Sequence, residues 1–426
     1  MTLVGTAAVL LQAAGQGVDN GAGHDAGMSV PDFLFLLIAI LLGAKLLGEL
    51  AERIGQPAVL GELLAGVLLG ASVFGIVDPT SEVVHLLAEV GVVILLFEIG
   101  LETQLRKLIA VGGASTTVAL VGVVLPFVGG YVVADWLGLG VLPAIVAGAA
   151  LTATSVGITA RVLSDLGRLQ EEESQIVLGA AVIDDIIGLV ILAVVAQLVA
   201  GADITPVGIA LITLTAFGFV AAVLILGQLL MPPLFRFLGA IGKPDTVAIM
   251  GLAFAFVIAY LADAVGSALI VGAFAAGLVL APTEHAHVVE DGIKGIARFF
   301  VPIFFVAVGA AVDVRTFLDP EVMTVGLALI VVAIVGKVVA GYAPVWLKAR
   351  KSVIGVGMIP RGEVGLIFAQ MGLTSGVLSV GLFSAITLMV MVTTFMAPPL
   401  LKHLFPPISE PSGLSPTGVS ELTTEA

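Results

Sequence analysis

Apolar stretches of about 20 residues, separated by short polar segments, follow one another along most of this chain. A helix of that length crosses about 30 Å of hydrocarbon. The pattern therefore predicts an all-α membrane protein with thirteen transmembrane helices. The expected spans lie near residues 32–54, 57–75, 83–103, 111–137, 141–164, 173–200, 204–239, 244–263, 267–281, 293–315, 321–349, 352–374 and 376–404.

Composition agrees with this pattern. Hydrophobic residues make up 59% and charged residues 11% of the 426 positions, and the mean hydropathy is +1.20. A soluble domain has no need of so much apolar surface. The formal net charge of −14 argues against a nucleic-acid partner. The chain has no cysteine, which excludes disulfides and thiolate metal sites.

Basic residues alternate between connections, and this alternation predicts the orientation. They occur in every second connection, at Arg53, Arg106, Lys107, Arg168, Arg236, Lys243, Lys294, Arg298, Lys348, Arg350, Lys351 and Lys402. By the positive-inside rule the N-terminus lies outside and the C-terminus in the cytoplasm of a cell-membrane protein. We accordingly expect an extracytoplasmic N-terminal segment at 1–31, a transmembrane domain at 32–404 and a disordered cytoplasmic tail at 405–426.

The two halves of the chain repeat one another. VLGELLAGVLLGAS (59–72) aligns with IVGAFAAGLVLAPT (270–283) at an offset of 211, which pairs Gly66 with Gly277. Spans one to six therefore resemble spans eight to thirteen. Because span seven alone links them, we expect the two six-helix halves to run in opposite directions through the bilayer. Inverted repeats are typical of secondary transporters, whose substrate site lies near the midplane.

Spans five and twelve are expected to be discontinuous. Span five contains TATSVGI (152–158), and span twelve contains PRGEVGL (360–366) at the corresponding place. Threonine and serine favour competing local hydrogen bonds, whereas Pro360 and Gly362 weaken a helix directly. Broken backbone is tolerated in a bilayer only where protein or water covers it. We predict two discontinuous helices that cross near the middle of the membrane.

Five ionisable residues lie near the middle of predicted spans: Asp184, Asp185, Lys337, Arg361 and Glu363. Each costs about 2.5–3.5 kcal/mol on an insertion scale if it is unpaired, so we expect them to pair. If all are ionised, the set has one negative charge in excess. A monovalent cation or a proton would neutralise it, and the two would compete for the same place.

The two adjacent aspartates are expected to have different tasks, because successive side chains on a helix point about 100° apart. One carboxylate can reach the crossing, where Thr154 and Ser155 would add the oxygen ligands that Na⁺, Li⁺ or K⁺ require. The other can pair with Lys337, and a buried lysine can release its proton. A salt bridge that only fixes the helices is the alternative. Arg361 and Glu363 are expected to hold the crossing together.

Six motifs together resemble one known family. In chain order they are GELLAGVLLGAS, LLFEIGLE, TATS, IDD, VGKVVAGY and GMIPRGEVGLI. Together they cover most of residues 32–404. The chain resembles the transmembrane part of the monovalent cation:proton antiporter family 2, of the Kef and NapA type. The resemblance implies an NhaA/NapA-like fold, a homodimer and alternating access. It also implies that Asp185 is the essential ion-binding carboxylate and Asp184 the partner of Lys337.

The expected ion follows from the resemblance. The IDD sequence resembles the electrogenic Na⁺/H⁺ branch, so we predict exchange of Na⁺, or Li⁺, for H⁺ in pH homeostasis. A K⁺/H⁺ antiporter of the Kef type is the alternative, and an ion channel could share the same polar crossing. We expect no enzymatic activity, no cofactor and no metal other than the transported cation. Adjacent aspartates on one helix argue against an intramembrane aspartyl protease.

Three further charges in predicted spans need an explanation. Glu98 in LLFEIGLE is a candidate for a cytoplasmic funnel that collects cations, although a glutamate near a helix end can also reach water directly. Glu62 in span two and Lys45 in span one are expected to make contacts at an interface between domains.

Overall fold

The computed structural model describes residues 28–199, 206–241, 244–312, 314–315 and 319–405. The predicted N-terminal segment up to residue 27 and the predicted tail from residue 406 lie outside the described residues. Two units are distinguished, Met1–Ile38 and Ala39–Ala426. The described part of the first unit contains the start of the first helix. All contacts reported below belong to the second.

Within these ranges the chain forms sixteen α-helices joined by short connections. In chain order they are α1 (Val30–Arg53), α2 (Ala58–Leu69), α3 (Glu82–Glu102), α4 (Leu105–Ala110), α5 (Gly112–Trp136), α6 (Val141–Ala150), α7 (Val156–Asp165), α8 (Glu172–Val199), α9 (Pro206–Ile241), α10 (Pro244–Ala264), α11 (Leu269–Leu280), α12 (Ala286–Ala310), α13 (Pro320–Tyr342), α14 (Lys351–Gly357), α15 (Glu363–Thr374) and α16 (Val380–Leu404).

Nine of the described helices are long and apolar enough to cross a membrane, and four shorter apolar helices accompany them. Eleven of the predicted spans each overlap one described helix, whereas spans five and twelve each correspond to two, α6 with α7 and α14 with α15. The chain is therefore an all-helical, multi-pass membrane protein. The short helix α4 is an element that the apolar pattern did not predict.

Three predicted spans differ from the structure by six residues or more at one end. The span expected at 57–75 corresponds to α2, which ends at Leu69. The span expected at 293–315 corresponds to α12, which begins seven residues earlier. Its polar first turns are stabilised by Lys294, whose Nζ lies 2.8 Å from Glu290 and 2.9 Å from Asp291 on the same helix. The span expected at 321–349 corresponds to α13, which ends at Tyr342. Pro344 follows two residues later, and the residue before a proline is disfavoured in a helix.

Close contacts between glycines follow the internal repeat. A Cβ atom on Gly66 of α2 would lie 2.2 Å from a carbonyl oxygen of α12 and 2.7 Å from the Cα of Gly309. A Cβ on Gly277 of α11 would lie 2.4 Å from a carbonyl oxygen of α3 and 2.6 Å from the Cα of Gly100. The repeat pairs Gly66 with Gly277 at an offset of 211, and Gly100 with Gly309 at the nearly equal offset of 209. Each half therefore supplies the same glycine contact to the other half.

The helices of the second unit form two groups. In the panel group, α3 packs against α11 and α12, α2 packs against α12, and α10 packs against both α11 and α12. In the crossing group, α5 packs against α6, α8 and α13, and α13 packs against α14 and α16. The broken helices belong to the crossing group, and α7 contacts α2 and α3 of the panel group. The breaks thus lie close to the surface where the two groups meet.

Candidate functional site

The two helix breaks contact each other. Residues 151–155 separate α6 from α7, and residues 358–362 separate α14 from α15. The backbone N–H of Ser155 donates a hydrogen bond of 2.8 Å to the carbonyl of Pro360. A Cβ atom on Gly362 would lie 2.7 Å from Ser155 Oγ. A residue without a side chain is therefore needed at Gly362 for the breaks to approach this closely.

Threonine hydroxyls complete the contact between the breaks. Thr154 Oγ1 donates to the carbonyl of Met358 at 3.1 Å, and Thr159 Oγ1 donates to that of Gly357 at 2.8 Å. Both carbonyls belong to the C-terminal end of α14, where helix carbonyls lack partners within the helix. Ser155 Oγ is buried, and it has no hydrogen-bond partner among the described atoms. Its oxygen remains available for a ligand.

Arg361, in the break after α14, forms hydrogen bonds with the backbone of the break after α6. Its side chain is fully buried, and Nη1 donates to the carbonyls of Thr152, at 3.2 Å, and Ala153, at 3.0 Å. Thr394 Oγ1 donates to the Arg361 carbonyl at 2.5 Å. The guanidinium thus satisfies carbonyls that the break after α6 exposes. Glu363 begins α15, and its side chain lies outside the part of the structure that is described.

Asp184 and Lys337 form a buried ion pair. Lys337 Nζ lies 2.7 Å from Asp184 Oδ2, and both side chains have 0% exposure. A Cβ atom on Gly122 of α5 would lie 3.3 Å from Lys337 Nζ. Asp185, which is 2% exposed, and Arg361 also act electrostatically on the lysine. The structure therefore brings four of the five predicted charged residues together.

Helix α8 packs against both helix breaks at Gly188, close to the two aspartates. A Cβ atom on Gly188 of α8 would lie 3.6 Å from Ala153 Cβ in one break and 3.7 Å from Val364 just after the other. Asp184 and Asp185 precede Gly188 by four and three residues, so they lie on the same side of α8. Both carboxylates are consequently about one helical turn from the crossing.

The arrangement can hold a proton or a small cation. The carboxylates of Asp184 and Asp185 and the charges of Lys337 and Arg361 sum to zero when all four are ionised. Carboxylate and hydroxyl oxygens are the ligands that hard cations prefer. A buried carboxylate can also take up a proton, and a buried lysine can lose one. The site therefore contains two kinds of proton-exchanging group next to oxygen ligands.

A polar cavity of about 490 Å³ lies between α1, α2, α3 and α12 on one side and α7 on the other. Its acidic and basic lining includes Glu49, Glu52, Glu62, Glu98, Arg161 and Asp165. Glu98 thus lines a cavity, and its function as a funnel stays a prediction. Lys45 pairs with Glu49 on its own helix at 3.6 Å, not across an interface. Glu62 does make an interface contact, with Arg161 of α7 at 4.0 Å.

A second ionic cluster joins the connection before α8 and the start of α8 to the connection before α14 and to the residue that follows α16. Arg350 Nε donates to Glu173 at 3.0 Å, its backbone N–H donates to the same carboxylate at 2.9 Å, and it also pairs with Glu171. Its guanidinium lies 4.8 Å from the centre of the Phe405 ring. Hydrogen bonding to Glu173 raises the pKa of Arg350 above its usual value. The sequence pattern did not predict this cluster.

Arg161 and Thr394 were also missed. Arg161 is a charged residue inside the predicted fifth span, and that departure from the apolar pattern is a signal that could have identified it. Thr394 offers no comparable signal, because a threonine in a transmembrane helix commonly bonds to its own backbone.

An all-helical membrane chain with charged side chains buried beside two helix breaks that contact each other has the construction of a membrane transport protein. The chain belongs to the sodium/hydrogen exchanger family, whose transmembrane profile matches residues 7–405. This finding confirms the predicted family resemblance at that level. The Kef and NapA type is a narrower name than the family that matches.

Relatives cover nearly all of the same region. The high-affinity Na⁺/H⁺ antiporter NhaS3 of Synechocystis is 43% identical over 413 residues, which is 87% of this chain and 89% of the relative. The Na⁺/H⁺-K⁺ antiporter GerN of Bacillus cereus is 39% identical over 381 residues, or 88% and 96%. The sodium proton antiporter MjNhaP1 of Methanocaldococcus jannaschii has a similar fold, with a TM-score of 0.66, 17% identity and coverage of 87% and 95%.

Proposed function

We propose that this chain exchanges Na⁺ for H⁺ across the cell membrane by alternating access. The observation that carries the proposal is the fully buried pair of Asp184 and Lys337, 2.7 Å apart beside two crossed helix breaks. Charged groups so deep in an apolar protein are costly and mark ion pathways. The similarity to NhaS3 and GerN, both antiporters of Na⁺ and H⁺, supports the same function.

Asp185 is the proposed site of competition. Na⁺ would bind to its carboxylate, with Ser155 Oγ and the crossing near Thr154 as further oxygen ligands. A proton on the same carboxylate removes the negative charge that holds the cation. Binding of one ion therefore requires release of the other, which couples the two fluxes.

Lys337 is the proposed source of electrogenic coupling. When either a proton or Na⁺ is bound to Asp185, the bound ion and the side chains of Asp184, Asp185, Lys337 and Arg361 together carry one net positive charge. Exchange of one ion for the other at Asp185 alone is therefore electroneutral. If Na⁺ binding also breaks the Asp184–Lys337 pair and Lys337 releases its proton, the Na⁺-loaded set is neutral. Two protons then exchange for one Na⁺, and one net charge moves in each cycle.

The IDD sequence, which contains Asp184 and Asp185, is our reason for proposing Na⁺ or Li⁺, and not K⁺, as the transported cation. Exchange of K⁺ is the second candidate, because GerN, which is 39% identical, is a Na⁺/H⁺-K⁺ antiporter. Both candidates use the same carboxylate. They differ in the number and spacing of oxygen ligands that the cation requires.

The proposed architecture has thirteen crossings arranged as an NhaA/NapA-like inverted repeat. Spans one to six and eight to thirteen form the halves, and α9 is the linker. Residues 1–31 would lie outside and residues 405–426 in the cytoplasm, as the alternating basic connections favour. We also propose a homodimer in which the panel group stays in place while the crossing group moves.

Reconstituted vesicles with an internal pH dye test the proposal. Addition of Na⁺ or Li⁺ is expected to move protons, and K⁺ is expected to move fewer. Asp185→Asn should abolish the signal, whereas Asp263→Asn, which changes an exposed acid at the end of α10, should not. Normal exchange by Asp185→Asn would refute the assignment. A Na⁺-driven signal that neither creates nor responds to membrane potential would refute the part assigned to Lys337.

A further inference from the structure

Two oppositely charged residues that line the polar cavity, Glu62 and Arg161, face each other across the two helical groups without forming a hydrogen bond. Arg161 Nη2 of α7 lies 4.0 Å from Glu62 Oε1 of α2, which is too long for a hydrogen bond. The Glu62 side chain is 8% exposed, and its Oε2 has no hydrogen-bond partner among the described atoms. Asp165, one turn along α7, lies 2.9 Å from Arg161 Nε. Arg161 is thus oriented by its own helix and has further donors directed to the panel group.

The space between the two groups is wider at one end than at the other. The polar cavity of about 490 Å³ touches α12 between Lys294 and Pro302. At Val308, near the C-terminal end of α12, and at Ala311 and Val312 beyond it, the space has a volume of only about 10 Å³ and is lined mainly by apolar side chains. A movement of the crossing group that widens the second space would narrow the first.

We propose that Glu62 and Arg161 form a gate that closes the polar cavity. Movement of the crossing group towards α2 would bring the guanidinium within hydrogen-bond distance of the buried carboxylate. A buried carboxylate oxygen without a donor is costly, so the completed pair stabilises the closed state relative to the open state seen here. This inference rests on the proposed alternating access, and it assigns the pair to positioning and not to ion binding.

The absence of cysteine from the sequence allows a direct test. Ala297→Cys places one thiol on α12 in the lining of the polar cavity. In nanodiscs, the rate at which a polar maleimide labels that thiol reports how often the cavity is open. Glu62→Gln is expected to raise the rate about fivefold, a coupling typical of contacting charged residues. The control Glu49→Gln changes another cavity carboxylate, one that pairs on its own helix, and should leave the rate unchanged.

Double variants separate the gate from a general loss of structure. Glu62→Gln should have no further effect on labelling once Arg161→Gln is present, because the contact is then already lost. Exchanging the two residues, Glu62→Arg with Arg161→Glu, should return the rate towards that of the native pair. If Glu62→Gln does not fold, Glu62→Asp keeps the charge but shortens the side chain, and it should raise labelling in the same direction.

Unchanged or slower labelling of the Glu62 variants would overturn the proposal, and slower labelling would indicate that the pair holds the cavity open. The same measurements in the Asp185→Asn background do not depend on transport. A failure of the proposed function would therefore appear as persistent exchange in Asp185→Asn, while a failure of the gate would appear in the labelling rates alone.

Discussion

Replacement of Lys337 by alanine leaves Asp184 as a buried carboxylate without its counter-charge. Both side chains have 0% exposure, and the pair distance is 2.7 Å, so no solvent screens the interaction. Removing one partner of such a pair costs about 3–5 kcal/mol. The unfolding temperature of Lys337→Ala should therefore fall by an amount that corresponds to this loss.

Thermal unfolding of purified Lys337→Ala in detergent measures this loss. Lys294→Ala is the matched control, because Lys294 is 38% exposed and pairs with Glu290 and Asp291 on its own helix. Such a surface pair is worth at most about 1 kcal/mol. An unfolding temperature for Lys337→Ala that equals the native value would refute the argument.

Two further substitutions test the crossing and the packing. Arg361→Lys keeps the charge but cannot donate in the same geometry to the carbonyls of Thr152 and Ala153, so exchange in vesicles should fall at least tenfold while expression persists. Gly66→Ala would place a Cβ atom 2.2 Å from the Val306 carbonyl; its unfolding temperature should fall by an amount that corresponds to about 1–3 kcal/mol, and an unchanged temperature would contradict the close contact.

Much of the fold could be predicted from sequence, because a bilayer imposes helix length and excludes exposed backbone. The breaks at 151–155 and 358–362 were also predictable, since Pro360 and Gly362 stand in a segment that matches TATSVGI of the other half. The early start of α12 was not predictable from hydropathy. The first turns of α12 are stabilised by ion pairs between residues about one helical turn apart. A hydropathy profile scores these residues only as polar and therefore places the start of the span after them.

The residues of the charged site could be predicted from the sequence, but the contacts between them could not. Asp184, Asp185 and Lys337 stand out because each interrupts an apolar span. Which aspartate meets the lysine depends on how α8 is rotated against α13, and no spacing along the chain fixes that rotation. The contact of Glu62 with Arg161 likewise depends on the packing of two groups of helices, although both charges are visible in the sequence.

Proton release on cation binding tests the central claim most directly. Purified protein in weakly buffered detergent solution with a pH indicator should release protons when Na⁺ is added, and the release should disappear in Asp185→Asn. The account predicts that acid weakens Na⁺ binding, because the proton and the cation occupy the same carboxylate. Na⁺ binding that releases no proton, or equal release by native protein and Asp185→Asn, would contradict it.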